Sequence, residues 1–143
     1  MAEKTKPHIM IVEGRYYERI QDYLLEGAVK MLDELGASHE TYSVPGAFEI
    51  PAAIAFAAKS DGVTASGHQY DGFIALGCVI KGKTPHFDFI SKATTDAIMN
   101  ISIDSKKPIG NGVITCLNIK QAKQRKKKGS EAASAVTSVL SQK

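Results

Sequence analysis

Residues 71–80, DGFIALGCVI, constrain the fold more than any other stretch of the chain. After Asp71 the run carries no charge at either alternating set of positions. A strand with one wet face alternates apolar and polar residues. A strand apolar at every position is buried on both faces, as in a parallel sheet covered by helices. The run ends in Lys81-Gly82-Lys83-Thr84-Pro85 and leads into a segment with helical spacing of apolar residues. A strand that ends in a Gly- and Thr-bearing loop at a helix N-terminus offers an anion free N–H groups and the positive end of the helix dipole. His86 stands where that helix begins. An anion cradle beside a titratable ring is one reading of the junction, and an ordinary turn with a surface histidine is the other.

The rest of the chain alternates in the same way. Residues 9–12, IMIV, form a second all-apolar run, with Glu13-Gly14-Arg15 predicted as the turn after it. Ile20, Leu24, Ala28, Met31, Leu32 and Leu35 then recur at three- and four-residue spacing, which predicts an amphipathic helix over 17–35 ended by Gly36. Residues 39–44, HETYSV, alternate and read as a more exposed strand, broken by Pro45-Gly46. An Ala-rich helix is predicted over 51–59, with Pro51 in its first turn. Residues 61–69 lack periodicity and read as a loop. A third helix follows from Ile90, Ala93, Ala97, Ile98 and Ile101, and residues 104–110 are a polar link. A fourth strand spans 113–117. Asn118 with Gln121 three residues on predicts a capped helix, Gly129 a break or kink, and 130–140 a last helix. The order βαβαβαβαα predicts an α/β fold, a four-stranded parallel sheet with helices on both faces and right-handed crossovers. Residues 1–7 are expected to be a flexible tail, and 8–143 a single domain.

Charge and cysteine usage narrow the function. The formal charge is +3, and six of the eighteen Lys and Arg lie in residues 120–128, KQAKQRKKK. No aromatic is interleaved there, so a solvated helix face is favoured over a nucleic-acid site. Cys78 and Cys116 fall inside predicted strands without any CxxC or Cys/His cluster, so they read as buried free thiols, and no metal site is expected. Polar residues 1–7 before a short apolar run predict no secretory leader. No apolar run reaches membrane-spanning length, which makes a cytoplasmic protein the expectation.

Taken together, IVEGRYYERIQDYLLEGA, VPGAFEIP, ALGCVIKGKTPHFDFIS, IGNGVITCLNIKQAKQR and KGSEAA resemble the lumazine synthase family over nearly the whole chain. The resemblance implies a flavodoxin-like four-stranded parallel sheet. It also implies condensation of 5-amino-6-(D-ribitylamino)uracil with 3,4-dihydroxy-2-butanone 4-phosphate to give 6,7-dimethyl-8-ribityllumazine, the penultimate step of riboflavin synthesis. Such an enzyme uses no cofactor and no metal. An amine attacks a ketone, phosphate leaves, and a second amine closes the ring. Those steps ask for a proton carrier, an anion site and two substrates held together.

By this resemblance His86 is the proton-transfer group, since an imidazole both takes and gives a proton near neutral pH. Thr84 belongs to the phosphate loop. Lys83 counts with it, a solvated lysine being the alternative. Arg125 binds phosphate from a neighbouring subunit, with a guanidinium geometry suited to two phosphate oxygens. Tyr16 stacks on the pyrimidine ring where the family usually has Phe or Trp. Glu49 accepts hydrogen bonds from ribityl hydroxyls. Ala47, Phe48, Cys78, Val79 and Ile80 hold the ring edges, chiefly through backbone groups. Lys128 matches a lysine at the substrate mouth.

Some positions depart from the family pattern. Tyr17 replaces a common Asn, and Asn111, counted among the substrate-binding residues, stands where some members have an aromatic. The joint between Arg125 and Lys128 is short and Lys-rich, in a region the family links to the choice between a pentamer and a sixty-subunit shell. The resemblance implies a homo-oligomer, a pentamer or an assembly of pentamers. A flavin- or lumazine-binding module without turnover is the alternative function, and retention of His86 with Arg125 favours the enzyme.

Overall fold

The computed structural model describes residues 6–58 and 69–142. Its centre is a four-stranded parallel sheet in the order β2-β1-β3-β4. The strands are β1 (His8–Gly14), β2 (Ser38–Val44), β3 (Gly72–Ile80) and β4 (Ile109–Cys116). Five helices follow or join them: α1 (Glu18–Glu34), α2 (Ile50–Ala57), α3 (His86–Ser105), α4 (Ile119–Gln124) and α5 (Lys128–Leu140). A short 3-10 turn, Ala47–Glu49, precedes α2. From β1 the chain first steps outward to β2, then crosses back to β3 and on to β4. The direction reverses between β1 and β3, and that switch opens a crevice at the carboxyl ends of the strands.

The sheet is covered on both sides, as residues 71–80 predict. One layer joins Ile9, Ile11, Ile74 and Leu76 of the sheet to Leu24 and Leu32 of α1 and to Ala133 and Val136 of α5. The other joins Met10, Val12, Phe73 and Ala75 to Ile50 and Ile54 of α2 and to Ile98 of α3. Each fully buried Leu or Ile contributes on the order of 1.5–3 kcal/mol. Edge strand β2 is largely exposed, in keeping with its alternating sequence. Among the described residues no helix is long and apolar enough to cross a membrane.

Local chemistry sets several boundaries as expected. Gly36, at φ +78°, ends α1: its N–H reaches the Asp33 carbonyl, and the Ala37 N–H reaches that of Leu32 at 2.9 Å. This pattern satisfies the last carbonyls of the helix. Pro51 sits in the first turn of α2. Asn118 Oδ1 accepts from the Gln121 N–H at 2.9 Å, while Gln121 Oε1 accepts from the Leu117 N–H at 2.7 Å. The predicted capping pair thus forms, with its return bond one residue earlier than the usual box.

Other expectations need correction. Glu13 and Gly14 belong to β1 rather than to a turn, because the Glu13 carboxylate is buried against Arg15 and Ser43. β4 starts at Ile109, and α3 runs through Ser105, so the polar link shrinks to three residues between them, with Lys106 in the left-handed region as the cap. The inward stripe of α3 is carried by Thr94 and Ile98, and Ala93 is exposed. Gly129 does not break a helix. It lies inside α5, where a Cβ would meet the Leu24 carbonyl oxygen of α1 at 2.0 Å, so it serves close helix packing. The break falls at Arg125 to Lys127 instead. Of the predicted loop 61–69, residues 61–68 lie outside the described residues, as do residues 1–5 of the predicted tail.

Candidate active site

Three chain connections converge on the crevice at the β1/β3 switch. β1 leads into Arg15-Tyr16-Tyr17, β2 into Pro45-Gly46 and the 3-10 turn, and β3 into the loop before α3. Between them lies a cleft of about 580 Å³, walled by Tyr16 and Tyr17, by 46–49, by 78–80, and by His86 and Ile90. This volume suits a small organic ligand. Tyr16 is 74% exposed, with its ring edge-on to Tyr17 at 4.9 Å between centroids, so one aromatic face is free. Glu49 is half-buried at the end of the 3-10 turn, where it precedes α2 and makes no side-chain capping bond. His86, in the first turn of α3, is exposed, and its N–H donates to Thr84 Oγ1 at 3.4 Å. Thr84 therefore presents its hydroxyl at the N-terminus of a twenty-residue helix, where the dipole favours negative charge.

The structure thus brings together eight of the residues predicted from sequence: Tyr16, Ala47, Phe48, Glu49, Cys78, Val79, Ile80 and His86. Lys83 and Thr84 stand exposed in the loop at the cleft's rim. The other three are elsewhere in the same chain. Arg125 follows α4, with Nη1 donating to the Gln121 carbonyl at 3.0 Å. Burial pushes the Cys116 thiol up, and the positive charge of Arg125 partly offsets that rise. Lys128 opens α5 and faces Glu131 at 4.0 Å. Asn111 is paired with Ala75, whereas Val79 of the cleft is paired with Thr115. Four residues of strand separate those levels, about 13 Å. Asn111 Oδ1 instead accepts from the Val113 N–H at 3.0 Å.

Tyr17, Gly46 and Ile90 line the cleft although none was counted among the candidate site residues. Their signal was position: each lies at or just beyond a strand's carboxyl end, or one helical turn from His86. Cys78 and Cys116 are free and buried, as expected. Burial, with Cys116 nearby, pushes the Cys78 thiol up to about 12, so it stays protonated near neutral pH and is no nucleophile. Among the described residues no three His, Cys, Asp or Glu side chains cluster as a metal site requires. A second hollow, about 470 Å³, lies between α1 and the α4–α5 joint beside Tyr23, Lys30 and Lys126, and gathers none of the cleft residues.

Comparison with known proteins finds relatives over nearly the whole chain. A family model described as 6,7-dimethyl-8-ribityllumazine synthase matches residues 6–143. A 6,7-dimethyl-8-ribityllumazine synthase of Agrobacterium fabrum is 47% identical over 141 residues, covering 95% of this chain and 94% of the relative. One from Bartonella tribocorum is 44% identical over 145 residues, covering 98% and 92%. A protein of Rhodopseudomonas palustris named 6,7-dimethyl-8-ribityllumazine synthase 1 is 47% identical over 137 residues, covering 92% and 83%.

Proposed function

Because the chain belongs to the 6,7-dimethyl-8-ribityllumazine synthase family, we propose that it condenses 5-amino-6-(D-ribitylamino)uracil with 3,4-dihydroxy-2-butanone 4-phosphate in the cleft at the β1/β3 switch. The observation that carries this reading is the meeting of Tyr16, Glu49 and His86, from three separate connections, around one volume.

Each residue type answers a demand of the reaction. The free face of Tyr16 stacks on the pyrimidine. The Glu49 carboxylate accepts from the ribityl hydroxyls, and backbone groups of 47–48 and 78–80 hold the polar ring edges. The phosphate seats at the α3 N-terminus, on Thr84 and the N–H groups of the loop, with Lys83 at the rim. That seat brings the ketone beside the amine it must meet, and His86 stands within the same cleft. His86 takes a proton as the amine adds to the carbonyl and returns one as water departs. Loss of the proton on the neighbouring carbon lets phosphate leave into the anion seat. The second amine then closes the ring on the carbonyl so formed, and a second water departs. Holding both partners in one geometry supplies much of the acceleration, and the proton carrier the rest.

Arg125, Lys128 and Asn111 complete the site from a neighbouring protomer. All three lie outside their own chain's cleft, and β4 with α4 forms an edge of the subunit. Exposed apolar residues on α2 and α3 supply a surface for that contact: Phe56, Phe89, Met99 and Ile103. Contacts of this heterologous kind close into a ring, a homopentamer by family resemblance, working in the cytoplasm. The absorbance of lumazine formed from the two substrates tests the activity. Steady turnover is expected, and a protein that binds lumazine without forming it would contradict the reading.

A further inference from the structure

Glu13 is 2% exposed, near the carboxyl end of β1, and the mechanism above does not use it. Its Oε1 accepts from Arg15 Nη1 at 2.5 Å and from Ser43 Oγ, on the neighbouring strand β2, at 3.1 Å. The Arg15 guanidinium also reaches Asp22 of α1, and the Arg15 N–H donates to the Val44 carbonyl at 3.0 Å. Those hydrogen bonds, that to Glu13 foremost, raise the guanidinium pKa further, so it holds its charge throughout. A Cβ at Gly14 would lie 2.5 Å from the Gly46 carbonyl carbon, so the two connections touch. A buried carboxylate is costly unless paired, and this one is paired across two cleft walls: Arg15 directly precedes Tyr16, and Ser43 lies three residues before Gly46.

We infer that Glu13 is a positioning residue for pyrimidine binding: through Arg15 and Ser43 it fixes the spacing between the Tyr16 platform and the wall formed by 46–49. This rests on the reading of Tyr16 as the ring platform. Glu13 touches no substrate. It limits where the aromatic face can sit, so its effect falls on the ring substrate and not on the phosphate seat across the cleft. Buried Oε2 has no hydrogen-bond partner, so Glu13→Gln breaks no bond there: it keeps the shape and an acceptor at Oε1 while removing the charge that holds Arg15.

The test measures KM for both substrates and the Kd of the lumazine product by fluorescence, in the wild type, Glu13→Gln, Arg15→Ala, the double variant and Tyr16→Ala. Glu13→Gln and Arg15→Ala should each raise the pyrimidine KM and the lumazine Kd about five- to twentyfold, with the phosphate-substrate KM within about twofold. The double variant should be no worse than the more impaired single, because both act through one path. Should Glu13→Gln fail to fold, Asp22→Asn frees the same guanidinium from the exposed side, with the same selective rise at about two- to fivefold. Equal rises for both substrates, additive effects, or an unchanged pyrimidine KM beside a raised one in Tyr16→Ala overturn the inference. An unchanged KM in Tyr16→Ala overturns the platform reading itself.

Discussion

On one face of the sheet α5 packs so closely on α1 that a methyl group at Gly129 would sit 2.0 Å from the Leu24 carbonyl oxygen. On the other, Phe56 of α2 and Phe89 of α3 are 73% and 69% exposed. The α1–α5 contact is closed within one chain: Ala28, Leu32, Ala132, Ala133 and Val136 are buried without help, and the apolar side chains left outward there, Tyr23 and Val139, are less exposed, at 40% and 54%. The α2–α3 face buries its sheet-side stripe and leaves large apolar side chains outward. The cleft opens on the carboxyl edge, and Arg125 sits at the β4 side of that edge. The contrast separates a face that stabilises the protomer from one that, on the proposed reading, another copy covers. Exposed apolar area of this kind marks an interaction surface.

The contrast predicts which substitutions unfold the protein and which only disable it. Gly129→Val forces α1 and α5 apart and should cost about 3 kcal/mol or more, or abolish folding; urea unfolding measures it. Phe56→Asp with Phe89→Asp should instead leave a folded protomer that sediments as a monomer and has lost most of its activity. If the pair unfolds the chain and Gly129→Val does not, the assignment of the two faces is reversed.

Within the cleft, His86→Ala should lower kcat about ten- to a thousandfold with an unchanged unfolding midpoint, since its side chain is exposed. An unchanged kcat removes the imidazole from the mechanism. Arg125→Ala should raise the KM for the phosphate substrate far more than that for the uracil, by about 1.5–3 kcal/mol of lost charge-assisted binding. Equal effects on both substrates would make Arg125 a folding or assembly residue.

Most of the scaffold was legible because its signals are local. The run 71–80 required a covered sheet, Gly36 a helix stop, and Asn118 with Gln121 a cap, and each acts over a few residues. What failed depends on distant partners. Glu13 reads as a turn residue until Arg15 and Ser43 neutralise it inside a strand. Gly129 reads as a helix breaker until α1 lies against it. Ala93 and Thr94 are one step apart on α3, and only the docking of that helix decides which turns inward. The cleft was legible through motif resemblance: eight predicted residues share it. Arg125, Lys128 and Asn111 stand apart from that cleft in their own chain; on the proposed reading they meet a neighbour's cleft, and the sequence of a protomer does not state its neighbour's position.

The central claim is that His86 and Arg125 of one active site come from different protomers. Complementation tests it most directly. Equimolar His86→Ala and Arg125→Ala chains are unfolded together and refolded, and assayed with the phosphate substrate near the wild-type KM, where each variant alone is strongly impaired. In a closed ring of heterologous interfaces, random mixing pairs an intact His86 with an intact Arg125 at about a quarter of the sites. Activity should therefore recover towards about a quarter of the wild-type value, and refolding each variant separately should leave it at its own low residual activity. If mixing restores nothing while the refolded chains still assemble, both residues serve the same protomer's site, and the shared active site is contradicted.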